Sequence, residues 1–224
     1  MRVDGQKELN AHALRRIFLS QTRCSILTDM VSYDRPSFSK KEELRQHFKQ
    51  KRLSFVGEVK HRADREILSN LETLAVFRRA NIIACYVSLP FEVDTCSLIQ
   101  KYLRLRTIAV PKIEEKPNLD FYCLRSWNDL NPGKMGILEP VSRLEKIELT
   151  QIQLIIVPGI AFDKKGYRLG FGEGYTDFLL AQIHSPKIGL AYEWQVVPTL
   201  PRGPLDQAVD IIITDKTILT VSKK

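Results

Sequence analysis

Sulfur and histidine are scarce in this chain. Its 224 residues hold four cysteines (Cys24, Cys85, Cys96 and Cys123) and four histidines (His12, His47, His61 and His184). No Cys-x-x-Cys pair occurs and no histidine stands at zinc-ligand spacing, so neither a zinc module nor a disulfide framework is expected. Cys85 and Cys123 lie inside apolar runs and read as small buried thiols of a protein in a reducing compartment. The histidines are scattered among polar and basic neighbours, none beside a nucleophile motif. No apolar run approaches the ~20 residues needed to cross a bilayer, and repeats and low-complexity tracts are missing. A cytoplasmic protein without a membrane partner is expected.

A core and a charge bias are present instead. Hydrophobic residues make up 44% of the chain, and Lys plus Arg exceed Asp plus Glu by 34 to 26, a formal charge of +8. Such an excess suits an anionic partner, whether nucleotide, polyglutamate, nucleic acid or membrane surface, and does not choose among them. Residues 1–38 read as an N-terminal extension, expected to be poorly ordered, and 39–224 as one domain. Arg15, Arg16 and Arg23 could belong to an organelle address, but Asp4, Glu8, Asp29 and Asp34 are wrong for one.

Asp34-Arg35-Pro36 is expected to break any helix. Ser39, with Glu42 three residues on, then has the capping-box pattern. Leu44, Phe48, Val56, Val59, Ala63, Ile67, Leu71 and Leu74 recur three or four apart over much of the next stretch, predicting an apolar stripe on one long or two consecutive helices, interrupted near Gly57. After Arg79 the period changes. NIIACYVSL reads as a buried parallel strand, CSLIQKYLRLR as a helix capped by Asp94 or Thr95, and TIAVPKI and LDFYCL as strands. LIIVPGIAF reads as the strongest strand, followed by a glycine-rich turn and a helix through YTDFLLAQI. KIGLAYE, VDIIIT and TILTV supply the last strands. The alternation predicts an α/β domain, a mainly parallel sheet with helices on both faces.

The segment 157–180, VPGIAFDKKGYRLGFGEGYTDFLL, carries the chemistry. Gly170, Gly172 and Gly174 alternate ahead of a helix, letting backbone N–H groups approach a ligand. The helix N-terminus adds partial positive charge and Arg168 a full one, which together suit phosphate. The spacing is neither the P-loop nor the dinucleotide fingerprint.

This string resembles the signature of 5-formyltetrahydrofolate cyclo-ligases, close to VPGLAFDxxGxRLGxGxGYYDxxL. Other segments resemble the family in the same order: Lys41 to Arg45 its KxxLR, VSLPFEVDT its folate-contacting turn, GILEP its GIxEP, and KIGLAYE, Gln195 and VDIIIT its closing segments. The resemblance spans about residues 39–221. It implies a magnesium-dependent enzyme with ATP as co-substrate and a reduced folate as substrate. Lys41, Glu42, Glu43, Leu44 and Arg45 would bind ATP, together with Arg168, Leu169, Gly170, Phe171, Gly172, Glu173, Gly174, Tyr175 and Thr176. Val87, Glu92 and Phe171 through Tyr175 would face the folate, Asp177 and Asp206 would hold magnesium, and Tyr175 and Arg168 would serve catalysis. A monomer without nucleic acid is expected.

Three positions depart from the pattern: Thr176 replaces a second tyrosine, Leu205 a histidine, and Glu173 a Gly or Lys. They keep open a folate- or nucleotide-binding relative with catalysis lost. The basic stretch 40–52 keeps open an RNA-binding protein, though it lacks interleaved aromatics beyond Phe48.

Overall fold

β-Branched and aliphatic residues alternate between two apolar faces along every central strand, and this alternation builds the domain. A computed structural model describes residues 35–113, 119–133 and 136–222. Of the extension expected over 1–38, residues 1–34, with Cys24 and His12, fall outside the described residues, while 35–38 belong to the first helix. Helices α1 (Arg35–Ser54), α2 (Gly57–Thr73) and α3 (Ala75–Arg79) lead into strand β1 (Ile82–Cys85). Helix α4 (Thr95–Tyr102) precedes β2 (Thr107–Ile113), β3 (Leu119–Leu124), the hairpin β4 (Leu130–Pro132) and β5 (Leu138–Pro140), and β6 (Lys146–Ile147). There follow β7 (Leu154–Val157), β8 (Ala161–Asp163), β9 (Arg168–Leu169) and helix α5 (Tyr175–Gln182). Strands β10 (Lys187–Leu190), β11 (Val196–Val197), β12 (Ile211–Ile213) and β13 (Ile218–Thr220) close the chain.

The main sheet has eight strands in the order β13-β12-β10-β7-β1-β2-β3-β6. Its five central strands, β12 to β2, are parallel, and β13, β3 and β6 add antiparallel edges. Ile83, Cys85, Ile108, Val110, Leu154, Ile156, Ile188 and Leu190 point to one face, where Ala63, Ile67 and Leu71 of α2, Phe77 of α3 and Leu98 and Ile99 of α4 cover them. Ala84, Ala109, Ile155, Val157 and Ile212 point to the other, under Leu179 and Leu180 of α5. Each fully buried aliphatic side chain contributes about 1.5–3 kcal/mol relative to exposure. The α/β reading with both faces covered is what the chain adopts.

Four local expectations are corrected. Helix α1 begins at Arg35, so Ser39 lies inside it and is not its cap. Pro36 sits in the first turn, where a missing N–H is tolerated, and does not break the helix. The run LIIVPGIAF is two strands, because the chain leaves the main sheet at Pro158-Gly159 and β8 joins a second sheet of order β11-β8-β9. Val56 and Val59 are 63% and 57% exposed. The inward positions of that stretch are taken by Arg52, Lys60 and Asp64, all buried. The break between α1 and α2 does fall at Gly57, whose φ of +71° is open to glycine. Asp94 is the cap of α4, its side chain accepting a 3.1 Å bond from the Ser97 N–H.

Strand order reverses beside β1: the chain moves to β2 on one side, then returns through β7, β10 and β12 on the other. A crevice at the carboxyl ends of β1 and β7 is the place where such sheets bind ligands. Helix α1 packs over that crevice, its Phe48 buried with Ile160, Ala161, Leu169 and Leu200 of the second sheet and its flanks.

Candidate functional site

Helix α1 is strongly polar, yet it buries a stripe. Lys41, Arg45, Phe48 and Arg52, spaced four, three and four apart, share one face, and that face meets the glycine-rich loop. Arg45, 7% exposed, donates from Nε to the Gly170 carbonyl at 2.9 Å and pairs with Glu42 at 3.1 Å. Gly172 lies beside the Arg45 guanidinium and adopts φ +106°, a conformation that glycine takes without strain. Lys41 Nζ meets Asp206 Oδ2 at 2.6 Å.

The loop continues into α5 through Gly174, whose left-handed φ of +79° starts the helix. Asp177, in the first turn of α5, is favoured by the helix dipole and ties two segments together. Its Oδ1 pairs with Arg168 Nη2 at 3.0 Å and accepts the Gln207 N–H at 2.9 Å. Arg168, 6% exposed, also donates to the Gln207 carbonyl at 3.1 Å. Burial pushes the Arg168 guanidinium down, while Asp177 first and Asp206 next hold it up. Both aspartates therefore stand around one cation. Asp206 Oδ2 additionally accepts the Gly203 N–H at 2.8 Å, and Asp177 holds the peptide N–H of the residue that follows Asp206.

Asp163 supports this arrangement, and the sequence reading gave it no role. It is fully buried. Its Oδ1 accepts the N–H groups of Lys165 and Tyr167 at 2.9 and 3.1 Å. Its Oδ2 accepts the Leu200 N–H at 3.2 Å and Arg202 Nη2 at 3.3 Å. One carboxylate thus fixes the β8–β9 turn that delivers Arg168 and the 200–206 segment that delivers Asp206. The local signal was Asp-x-x-Gly between two strands, a turn pattern.

Each expected site residue has a place, Leu44 half-buried against the cluster around Phe48. Lys41, Arg45, Arg168, Gly170 through Gly174, Asp177 and Asp206 come together. Glu42 and Glu43 are on the exposed side of α1. Leu169 is 1% exposed and Val87 5%; their side chains are core, leaving only backbone for a ligand. Phe171 is 39% exposed, Glu173 is exposed, and Tyr175 and Thr176 are half-buried in the first turn of α5. Leu205, at 78%, is the most exposed large hydrophobic residue among those described. Glu92, expected to face the folate, is 6% exposed. It lies beyond β1 with Arg52 Nη1 at 3.6 Å from its Oε1. Arg52, which the sequence reading missed, also donates to the Gly159 carbonyl beyond β7.

The donor set fits magnesium. A hard cation of this size takes one or two carboxylates beside phosphate and water. Among the described residues, Asp177 Oδ2 and Asp206 Oδ1 make no hydrogen bond, leaving each carboxylate an oxygen to offer.

An α/β sheet with this crevice, a basic helix stripe and a glycine loop near two aspartates has the features of an enzyme site for an anionic ligand. The model of the 5-formyltetrahydrofolate cyclo-ligase family matches residues 37–215, and the chain belongs to that family. The 5-formyltetrahydrofolate cyclo-ligase of Haemophilus influenzae is 28% identical over 182 residues, covering 78% of this chain and 97% of its own. The solved 5,10-methenyltetrahydrofolate synthetase of Aquifex aeolicus is 36% identical with a TM-score of 0.75, covering 82% of this chain and 94% of that one. The Mycoplasma pneumoniae synthetase gives 28% and 0.64, covering 78% and 98%.

Proposed function

We propose that Lys41, Arg45 and Arg168 neutralise the ATP phosphates over the Gly170–Gly174 loop, while Glu92 and the aromatic residues of the loop receive the folate. The reaction is the family's: ATP-dependent ring closure of 5-formyltetrahydrofolate to 5,10-methenyltetrahydrofolate, with release of ADP and phosphate. The observation that carries the assignment of roles is the convergence of Lys41, Arg45, Arg168, Asp177 and Asp206, drawn from three distant segments, around one glycine loop.

In this reading the formyl oxygen attacks the γ-phosphorus and ADP leaves with the bridging oxygen. The folate's second nitrogen then attacks the activated carbon, its proton departs, and the C–O bond breaks to release phosphate. The protein's part is positioning and charge neutralisation, with no covalent enzyme intermediate. Arg168 is held by two partners and needs little reorganisation as charge shifts across the phosphates. Lys41 is held by one and can turn from Asp206 to an incoming phosphate. Asp177 and Asp206 would hold magnesium, which would supply positive charge against the phosphates. Tyr175, at the loop's end, is assigned to the reacting formyl region.

A monomer in the cytoplasm completes the proposal. Cys85, Cys96 and Cys123 are free thiols, burial pushes all three up, and no helix among the described residues is long and apolar enough to cross a membrane. An Arabidopsis thaliana relative is named as mitochondrial, so fractionation of cells expressing the full chain tests the compartment.

The deciding experiment mixes the full chain with 5-formyltetrahydrofolate, ATP and magnesium and follows methenyl-tetrahydrofolate absorbance. Wild type forms product only with metal, and Asp177→Ala lowers turnover by about 10²–10³. Tyr175→Phe lowers turnover or folate affinity; unchanged values for both would remove Tyr175 from the site. Folate binding without product would favour the binding-relative reading that Glu173, Thr176 and Leu205 motivate.

A further inference from the structure

Arg52 is 4% exposed, deep in a position where an aliphatic residue would pack at far lower desolvation penalty. Its Nη2 donates to the Gly159 carbonyl. Its Nη1 stands 3.6 Å from Glu92 Oε1, outside hydrogen-bond reach, and neither Nη1 nor Nε has a hydrogen-bond partner. One guanidinium thus spans the carboxyl ends of β1 and β7, the point where the sheet changes direction. Space filling does not explain a buried cation with two unserved donors there.

The carboxylate it faces is equally confined. Glu92 Oε2 accepts the Leu89 N–H at 3.0 Å. The charged and titratable groups around it come from five elements: Arg52 on α1, Lys60 on α2, Tyr86 beyond β1, Cys96 on α4 and Tyr192 beyond β10. Burial pushes the Glu92 carboxyl above its ordinary range, and Arg52 is the strongest of the groups drawing it back.

We propose that Arg52 is a positioning residue of the folate subsite, holding Glu92 charged and fixed so that its carboxylate can accept hydrogen bonds from N–H groups of the substrate's fused ring. The proposal rests on the assignment of Glu92 to the folate and assigns Arg52 a role through it. A neutral buried carboxyl would present a donor hydrogen where the ring also presents donors, so loss of the charge turns an attraction into a mismatch. Lys41 and Arg45 serve the phosphates on the same stripe of α1, and Arg52 extends that stripe to the second substrate.

The test uses the full chain as wild type, Arg52→Gln, Arg52→Lys, Glu92→Gln and the double variant Arg52→Gln/Glu92→Gln. Folate KM, ATP KM and kcat are measured from pH 6 to 9, and thermal unfolding checks that each variant is folded. Arg52→Gln should raise the folate KM about 10-fold or more near neutral pH and leave the ATP KM within about twofold. Without Arg52 the carboxyl is protonated at low pH and ionises as pH rises, so the folate KM of this variant should fall toward high pH by about 10-fold. Wild type and Arg52→Lys should stay nearly flat. The double variant should resemble Glu92→Gln alone, since Arg52 acts through that residue. It carries neutral amides at both positions and keeps the test available if Arg52→Gln alone unfolds. An additive double variant, a flat profile in a folded Arg52→Gln, or equal loss in both KM values would overturn the proposal while leaving Glu92 in the site. An unchanged folate KM in Glu92→Gln would remove the assignment of Glu92 itself, and the role of Arg52 with it.

Discussion

Lys41 on α1 and Lys60 on α2 each hold an aspartate at almost the same distance, 2.6 Å to Asp206 and 2.7 Å to Asp64, but their surroundings differ. The Lys60–Asp64 side chains are 9% and 6% exposed. Asp64 Oδ1 also accepts the Tyr192 hydroxyl at 2.8 Å and the Asp94 N–H at 3.2 Å. Burial, then Asp64, pushes the Tyr192 phenol up, so it remains a donor at any working pH. Both oxygens of that aspartate accept hydrogen bonds from within the protein. The Lys41–Asp206 side chains are 16% and 18% exposed, the pair joins segments 165 residues apart, and Asp206 Oδ1 remains unbonded among the described residues. The first pair is a finished structural joint. In the proposed reading, the second holds two charges in place for a ligand to divide. Chemical type and distance are equal, and completeness of the hydrogen-bond shell separates structure from function.

The largest effect that would sharpen this contrast is on stability. Lys60→Met leaves Asp64 buried without its cation and should lower unfolding stability in urea by about 3–5 kcal/mol. A loss below about 1 kcal/mol would place the buried pair in the same class as an exposed one and break the comparison. Lys41→Met should behave the other way. Stability should change by no more than about 1 kcal/mol, the range of partly solvated pairs, while the ATP KM rises about 10-fold or more through loss of a charged donor to phosphate. An unchanged ATP KM would make Lys41–Asp206 a simple tether of α1.

These pairs also mark where the sequence was legible. TIAVPKI and LDFYCL coincide with the bounds of β2 and β3, because short stretches rich in β-branched and aromatic residues, bounded by polar ones, mark strands directly. The glycine motif and the Lys41–Arg45 segment were readable as local strings. Arg52, Lys60 and Asp64 were not, because hydropathy places charged residues outside a helix and apolar ones inside. Here Val56 and Val59 are outside and the charges inside; Lys60 and Asp64 stand at the i,i+4 spacing of a helix pair, but that spacing alone reads as a solvated ion pair and does not mark it as buried. Arg52 reaches a carbonyl 107 residues away. The division of LIIVPGIAF had a signal, Pro158-Gly159, that the strength of the apolar run concealed. Phe162, fully buried, lies within 2.6 Å of where a Cβ on Gly159 would stand, so the glycine lets the chain turn over its own ring.

Glu173 extends the comparison to its most solvated member. It is exposed, one residue before Gly174, the cap of α5. A carboxylate there lies at the positive end of the helix dipole, where it stabilises α5 by a few tenths of a kcal/mol, and it occupies the field that a phosphate would use. In water such an interaction is weak and screened. Glu173→Gln should therefore improve the ATP KM by only about 1.5–5-fold, an advantage that shrinks as salt is raised from 20 to 300 mM. The same substitution should slightly destabilise the helix end. Weaker ATP binding in Glu173→Gln, accompanied by a higher magnesium requirement, would show the carboxylate assisting the metal instead of opposing the phosphate. The nucleotide end would then carry three metal-facing acids, and its incomplete bonding would reflect cation binding more than phosphate exchange.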